Sequence, residues 1–187
     1  ASDATPATFW ITNPDNTIRD NVAAGSAGFG FWCAFPESPT GLSTGQPDLP
    51  RTTPLREFSG NVAHSNHNGG LFVDDGPRPD GTTEVTNYEP RAVPSDPNSA
   101  PVQADFTGFR AYKHYFRAVW LRGTYLRLSH ALLADNAIGA TFAAYETSVT
   151  SSTFIGQSGA IAQLPSGGYL RGFEFYDGRV WADQVTF

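Results

Sequence analysis

An all-β solenoid, a parallel β-helix of about six coils carrying two long proline-rich loops, is the architecture this sequence predicts. Five times an apolar residue is followed fourteen positions later by a large apolar one: Ile18–Trp32, Phe58–Phe72, Phe106–Trp120, Leu128–Phe142 and Phe173–Phe187. A small residue, Gly30, Gly70, Ala118 or Ala140, stands two positions before the second member in the first four units. Such self-similarity is expected when each unit is one turn of a superhelix whose equivalent side chains stack.

Coil starts fall at Ile18, Phe58, Phe106, Leu128, Val149 and Phe173. The last three intervals are 22, 21 and 24 residues, and the first two, 40 and 48, are about double. The excess lies in segments 33–57 and 73–105, which hold eleven of the fourteen prolines. Proline lacks the N–H that a central ladder needs, so both segments are read as loops leaving the coil corners. Runs such as Gly69-Gly70-Leu71-Phe72-Val73 are strand-like and are bounded by Gly, Asn, Asp and Ser, the turn formers. Helix is the rival over 116–133, but Gly123, Thr124 and Tyr125 interrupt it and the fourteen-residue register runs through. In the Val149 coil the second anchor position is Gln163, within a Gly/Pro/Ser-rich stretch, and a bulge is expected there.

At 187 residues the chain can bury one sizeable core, and 13% aromatic residues with only 16% charged exclude a disordered chain. A net charge of −6 disfavours nucleic acid as a partner, which needs a basic surface. The single cysteine, Cys33, excludes an internal disulfide and a cysteine-cluster zinc site, and it reads as a buried small residue. No run approaches the roughly 18 apolar residues that span a bilayer, so direct membrane insertion is not expected. The chain contains no methionine and ends on an anchor, Phe187, so residues 1–187 read as one β-helix domain cut from a larger protein.

One string is distinctive: Ala7-Thr8-Phe9-Trp10-Ile11-Thr12-Asn13-Pro14-Asp15-Asn16, followed by Asn21-Val22-Ala23-Ala24-Gly25-Ser26. With His64-Ser65-Asn66, Gly70-Leu71-Phe72-Val73-Asp74, Trp120-Leu121-Arg122-Gly123, Ala134-Asp135-Asn136-Ala137-Ile138-Gly139 and Arg171-Gly172-Phe173-Glu174-Phe175-Tyr176-Asp177-Gly178, it resembles the β-helix region of the cell migration-inducing hyaluronidase and transmembrane protein 2 family. The matching strings are collinear over nearly the whole chain. The resemblance implies a right-handed helix, an extracellular or cell-surface setting, and a role in binding or depolymerising hyaluronan.

Offsets six to eight of successive coils bring Ala24-Gly25-Ser26, His64-Ser65-Asn66, Tyr112-Lys113-His114 and Ala134-Asp135-Asn136 into columns spaced about 4.8 Å. The expected result is a polar stripe along the coil axis, suited to an extended sugar chain. His64, Asn66 and Asp74 are the candidate catalytic residues, histidine and lysine being side chains suited to proton transfer. Lys113, His114, Arg117, Arg122, Asp135 and Asn136 are the candidate substrate-binding residues, the cations pairing with sugar carboxylates. Asn66, Asp135 and Asn136 read more readily as corner residues, whereas His64 and Lys113 are not typical turn formers. Arg110, Lys113, His114, Arg117 and Arg122 form the one dense basic cluster, which reads either as an anion site or as a solvated face paired with loop acids such as Asp75 or Asp105. Interleaved Tyr112, Tyr115 and Phe116 offer ring stacking or simply cover the coil. No cofactor is expected; calcium at Asp74-Asp75-Gly76 is the metal option considered. The readings carried forward are a polysaccharide-binding, hyaluronidase-like module whose parent protein cleaves an acidic glycan such as hyaluronan, and a non-catalytic scaffold that self-associates through exposed helix ends.

Overall fold

The computed structural model describes residues 6–159 and 170–187. Within them the chain winds into three parallel sheets. Sheet A stacks Ala7–Ile11, Phe29–Cys33, Gly69–Val73, Arg117–Thr124, Ile138–Tyr145 and Arg171–Asp177. Sheet B stacks Thr17–Arg19, Glu57–Ser59, Ala104–Thr107, Leu126–Ser129, Thr147–Thr150 and Val180–Asp183. Sheet C stacks Val22–Ala24, Val62–His64, Arg110–Tyr112, Leu132–Ala134 and Thr153–Ile155. Each rung runs B, C, A, and every pairing between rungs is parallel, which is the expected parallel β-helix. The bulge expected at Gln163 falls outside the described residues.

Residues one rung apart become vertical neighbours. Ile18, Phe58, Phe106, Leu128 and Val149 occupy one inward column of sheet B, and the last four are at most 2% exposed. Across the lumen, sheet C contributes Ala23, Ala63, Ala111, Leu133 and Phe154, small where the aromatics of sheet B are large and large where they shrink. That complementary volume keeps the core filled along its length. Each passage from sheet B to sheet C uses one residue in the left-handed region: Asp20, Gly60, Gly108, His130, Ser151 and Gln184, with φ between 47° and 66°. The passage from C to A uses Gly25, Ser65, Lys113 and Asp135 in the same way, with φ between 56° and 73°.

Phe142 and the Phe173–Phe187 unit differ from the sequence reading, Phe187 lying beside Phe154 of sheet C instead of in the column of Trp120. Trp32, Phe72 and Trp120 are vertical neighbours, but the next member of their column is Thr141, not Phe142. Five positions separate Tyr112 from Arg117, whereas four separate Ala134 from Ile138, the partner of Arg117. That shorter corner slips the register by one, and a slip of one exchanges the faces of a strand. Phe142 therefore points inward beside Leu121, and the small-residue column continues with Gly139 rather than Ala140. The second correction is Phe173, which pairs with Ala140 in sheet A; the sheet B slot it was expected to fill holds Ala182.

Both proline-rich segments leave the corner between sheets A and B, and they pack on one another. Residues 34–56 contain a single 3-10 turn, Gly41–Ser43, and the second loop contains a short hairpin of Gly76–Pro77 with Thr83–Glu84. Glu89 N–H donates to the Arg51 carbonyl, Arg91 N–H to that of Thr52, and the Tyr88 hydroxyl to that of Thr53. Tyr88 is buried against Phe35. Cys33 is buried as expected, and desolvation pushes its thiol up to about 12.

Candidate functional site

The outward positions of sheet A carry rings. Trp10, Trp32, Phe72 and Trp120 stand one above another, with centroid separations of 6.1, 6.2 and 6.2 Å. Phe29 lies flat on Phe72 at 4.2 Å. Between Phe29, Phe72, Phe116, Arg117 and Trp120 is a slot of about 250 Å³ whose floor is Gly69. A side chain at Gly69 would press on the Arg117 carbonyl oxygen, 2.5 Å from an ideal Cβ, so the floor stays bare. The Arg117 guanidinium lies 4.0 Å from the Phe116 ring centre and 5.0 Å from that of Trp120, the geometry of a cation over a ring face. Its Nε donates to Thr141 Oγ1, and its terminal nitrogen lies 3.5 Å from Glu174.

At the loop end of this face Asp74 collects four donors. Oδ1 accepts the Asp75 and Thr86 N–H groups, and Oδ2 accepts Trp120 Nε1 at 2.9 Å and Arg122 Nε at 2.6 Å. The Asp74 backbone carbonyl accepts Trp32 Nε1 as well. Asp177, far more exposed, approaches Arg122 from the next rungs at 3.9 Å. Beside them, Asn87, Glu89, Arg122, Thr124, Tyr145 and Asp177 border a polar pocket of about 420 Å³. Burial and the neighbouring Asp74 charge raise the Asp75 carboxyl above its usual range.

The candidate catalytic residues do not meet. His64 lies half-exposed on the outer face of sheet C, its ring stacked on Tyr112 at 4.9 Å. Asn66 is 1% exposed, and its amide donates to the Ala23 carbonyl while its oxygen accepts Ser26 N–H. Asp74 sits at the far end of sheet A with its oxygens already occupied. No shared reaction centre forms from these three.

The axial stripe also divides. Its columns stack as expected, but Asn66, His114 and Asn136 turn inward and hydrogen-bond along the corner instead of facing solvent. His114 N–H donates to Asn136 Oδ1, Asn66 N–H to His114 Nδ1, and the Asn136 amide to the Ala111 and Ala134 carbonyls. Asp135 is 4% exposed and accepts from the Ser158 N–H and hydroxyl. A substrate-binding role for His114, Asp135 and Asn136 does not fit that burial. Lys113, Arg117 and Arg122 do reach the surface, together with Arg110. Calcium at Asp74-Asp75-Gly76 is not supported either, since Asp74 is saturated by donors and no three His, Cys, Asp or Glu side chains converge among the described residues.

Sequence reading missed His67, whose ring lies on Tyr115 at 4.7 Å. A signal was available. His64–Tyr112, His67–Tyr115 and Phe72–Trp120 share one separation of 48 residues, the interval between the Phe58 and Phe106 coils.

Fold and surface together define the class, a parallel β-helix with ring ladders on its outside. A family model described as CEMIP beta-helix matches residues 1–71. A protein of Dictyostelium discoideum is 35% identical over 219 residues, covering 96% of this chain and 20% of that protein. The human cell migration-inducing and hyaluronan-binding protein is 34% identical over 197 residues (93% and 14%), and human cell surface hyaluronidase CEMIP2 is 31% identical over 225 residues (96% and 16%). Over most of its length the chain is thus related in sequence to the cell migration-inducing hyaluronidase and transmembrane protein 2 family, and its β-helix is the part they share. It spans a fifth or less of the length of these curated relatives. Among the described residues no helix is long and apolar enough to cross a membrane.

Proposed function

We propose that this module binds an acidic extracellular polysaccharide of the hyaluronan type on the outer face of sheet A. The observation that carries the reading is the Gly69 slot, a ring-walled recess with a guanidinium at its rim. Pyranose rings present apolar C–H faces that stack on Phe72 and Trp120, while the ion-paired guanidiniums of Arg117 and Arg122 border those rings and offer planar donors to sugar oxygens. The glycan class is taken from the names of the relatives, and the chemistry of the slot is compatible with it.

Titration calorimetry with hyaluronan oligosaccharides tests this directly. Trp120→Ala is expected to weaken binding about tenfold, corresponding to roughly 1.4 kcal/mol. Unchanged affinity in that variant would remove the slot from recognition. Product analysis of the same mixtures reads cleavage: a lyase leaves an unsaturated end that absorbs in the ultraviolet, and a hydrolase does not.

A second reading rests on Phe175, Trp181 and Phe187, large apolar residues on or beside the last described rung that remain exposed. In a scaffold that self-associates through helix ends, these would be covered by a second copy. Light scattering over a concentration series tests it, and a strict monomer at all concentrations overturns it.

A further inference from the structure

The surface of the second and third rungs has a pattern that neither the axial stripe nor the Gly69 slot accounts for. Residues 58–73 and 106–134 contain no Asp or Glu, in a chain with eighteen acids and a net charge of −6. Around those two rungs three cross-rung ring pairs follow one another: His64–Tyr112 on sheet C, His67–Tyr115 on the corner and Phe72–Trp120 on sheet A. Their centroid separations are 4.9, 4.7 and 6.2 Å, and the first two pairs are within 9° of parallel. On the third rung, cations alternate with those rings in the order Arg110, Tyr112, Lys113, Tyr115, Arg117, Trp120, Arg122. All of these side chains are at least partly exposed.

We infer that a uronate-containing polysaccharide lies across the β-helix, in a belt around these two rungs from Arg110 to Arg122, rather than along the coil axis. The inference rests on the proposed glycan binding and adds its direction, its extent and the division of labour along it. At about 3.3 Å per residue, the path from Arg110 to Arg122 is roughly 40 Å of contour, enough for several sugar rings. Charge is uneven along that path. Arg117 and Arg122 are already paired with Glu174 and Asp74, whereas Arg110 and Lys113 form no ion pair among the described residues. The sheet C end therefore supplies the uncompensated positive charge that draws in carboxylates, and the sheet A end supplies ring stacking. Alternation of both features around one rung suits a chain that alternates an apolar ring face with a carboxylate. Charge complementarity favours that ligand over an apolar partner.

The experiment measures hyaluronan oligosaccharides of graded length against the wild-type chain, Arg110→Ala/Tyr112→Ala, Trp120→Ala and Trp10→Ala. Circular dichroism and melting curves check that each variant folds, and Arg110→Gln/Tyr112→Leu provides a second sheet C variant should the first be unfolded. Wild-type affinity is expected to rise with oligosaccharide length. The sheet C variant loses that rise, weakening the longest ligand about five- to tenfold. Trp10 lies up the axis from the belt, and Trp10→Ala is expected to bind as wild type does. If Trp120→Ala weakens binding while the sheet C variants leave every length unchanged, the belt is wrong and the sheet A reading survives. A loss in Trp10→Ala equal to that of the sheet C variant means an axial track and also overturns the belt. Should the wild type bind no oligosaccharide, or Trp120→Ala change nothing, the underlying reading fails as well.

Discussion

Arg122 Nε lies 2.6 Å from Asp74 Oδ2, and the same oxygen accepts the indole N–H of Trp120 at 2.9 Å. One carboxylate thus fixes both a cation and a ring of the outer face. Asp74 side-chain exposure is 4% and that of Arg122 is 18%, so the pair is largely shielded from solvent. Four donors converge on its two oxygens and hold the carboxylate in place.

Replacing Asp74 by Ala should leave Arg122 with only the exposed Asp177, 3.9 Å away, and free the Asp75 and Thr86 N–H groups. Breaking one side of a buried pair costs about 3–5 kcal/mol. Urea denaturation is expected to show an unfolding free energy lower by that order, and tryptophan emission should change as the Trp120 contact loosens. An Asp74→Ala variant as stable as wild type would mean the network contributes nothing. Asp74→Asn keeps the shape and should fall between the two.

His114 makes a pH-dependent prediction. It is buried at the C-to-A corner between Asn66 and Asn136; Nδ1 meets the Asn66 backbone, and Nε2 has no hydrogen-bond partner. Burial, the largest influence, lowers its pKa to about 4 from an ordinary 6.5. The unfolded chain therefore takes up this proton first on acidification. Stability is full above pH 6.5, declines as pH falls towards 4, and levels off below that. The loss amounts to about 3 kcal/mol. Equilibrium unfolding at pH 7 and pH 4.5 reads it by difference. His114→Asn should flatten that slope, because in this column Asn66 reaches the Ala23 carbonyl and Asn136 the Ala111 carbonyl, and an amide at 114 could bond one rung down in the same way. An identical pH slope in His114→Asn would mean another group titrates.

Gly70 tests the small-residue column. An ideal Cβ there would sit 2.6 Å from the Ala118 carbonyl oxygen and 2.8 Å from His114 Nε2. Backbone and an imidazole held between two asparagines cannot both retreat. Gly70→Ala should cost about 1–3 kcal/mol, as overpacking of a tight core does. A melting temperature equal to wild type would show that the rung has slack.

How far the molecule could be read in advance follows from these columns. The inward residues of sheet B recur with the coil, and Ile18, Phe58, Phe106, Leu128 and Val149 were legible because a core position accepts little but apolar side chains. Phe142 misled because spacing alone does not tell an inward ring from an outward one, and its coil has a corner one residue shorter. The site was legible as a set of columns but not as a set of faces. Asn66 and Asn136 turn inward because an Asn at such a corner can bridge to the carbonyl of the rung before it, while His64, two residues before Asn66, and Tyr112, two before His114, point out. Ring pairing at a separation of 48 was available in the sequence, since that interval contains the 73–105 loop, but spacing alone does not say which face the rings take.

Lys113 separates backbone geometry from recognition. Its φ of 60° lies in the left-handed region that costs a lysine about 1–2 kcal/mol and a glycine almost nothing. The equivalent residue in the first rung is Gly25, at φ 73°. Lys113→Gly should therefore fold at least as well as wild type, the relieved strain being set against the greater freedom of glycine when unfolded. It also deletes one of the two uncompensated cations of the belt. Binding of acidic oligosaccharides should weaken and become less sensitive to salt, because a surface charge acts over about 8–10 Å and is screened beyond that. Stability unchanged or raised, with affinity and salt dependence both reduced, assigns Lys113 to the ligand. Reduced stability with unchanged affinity would assign it to the corner alone.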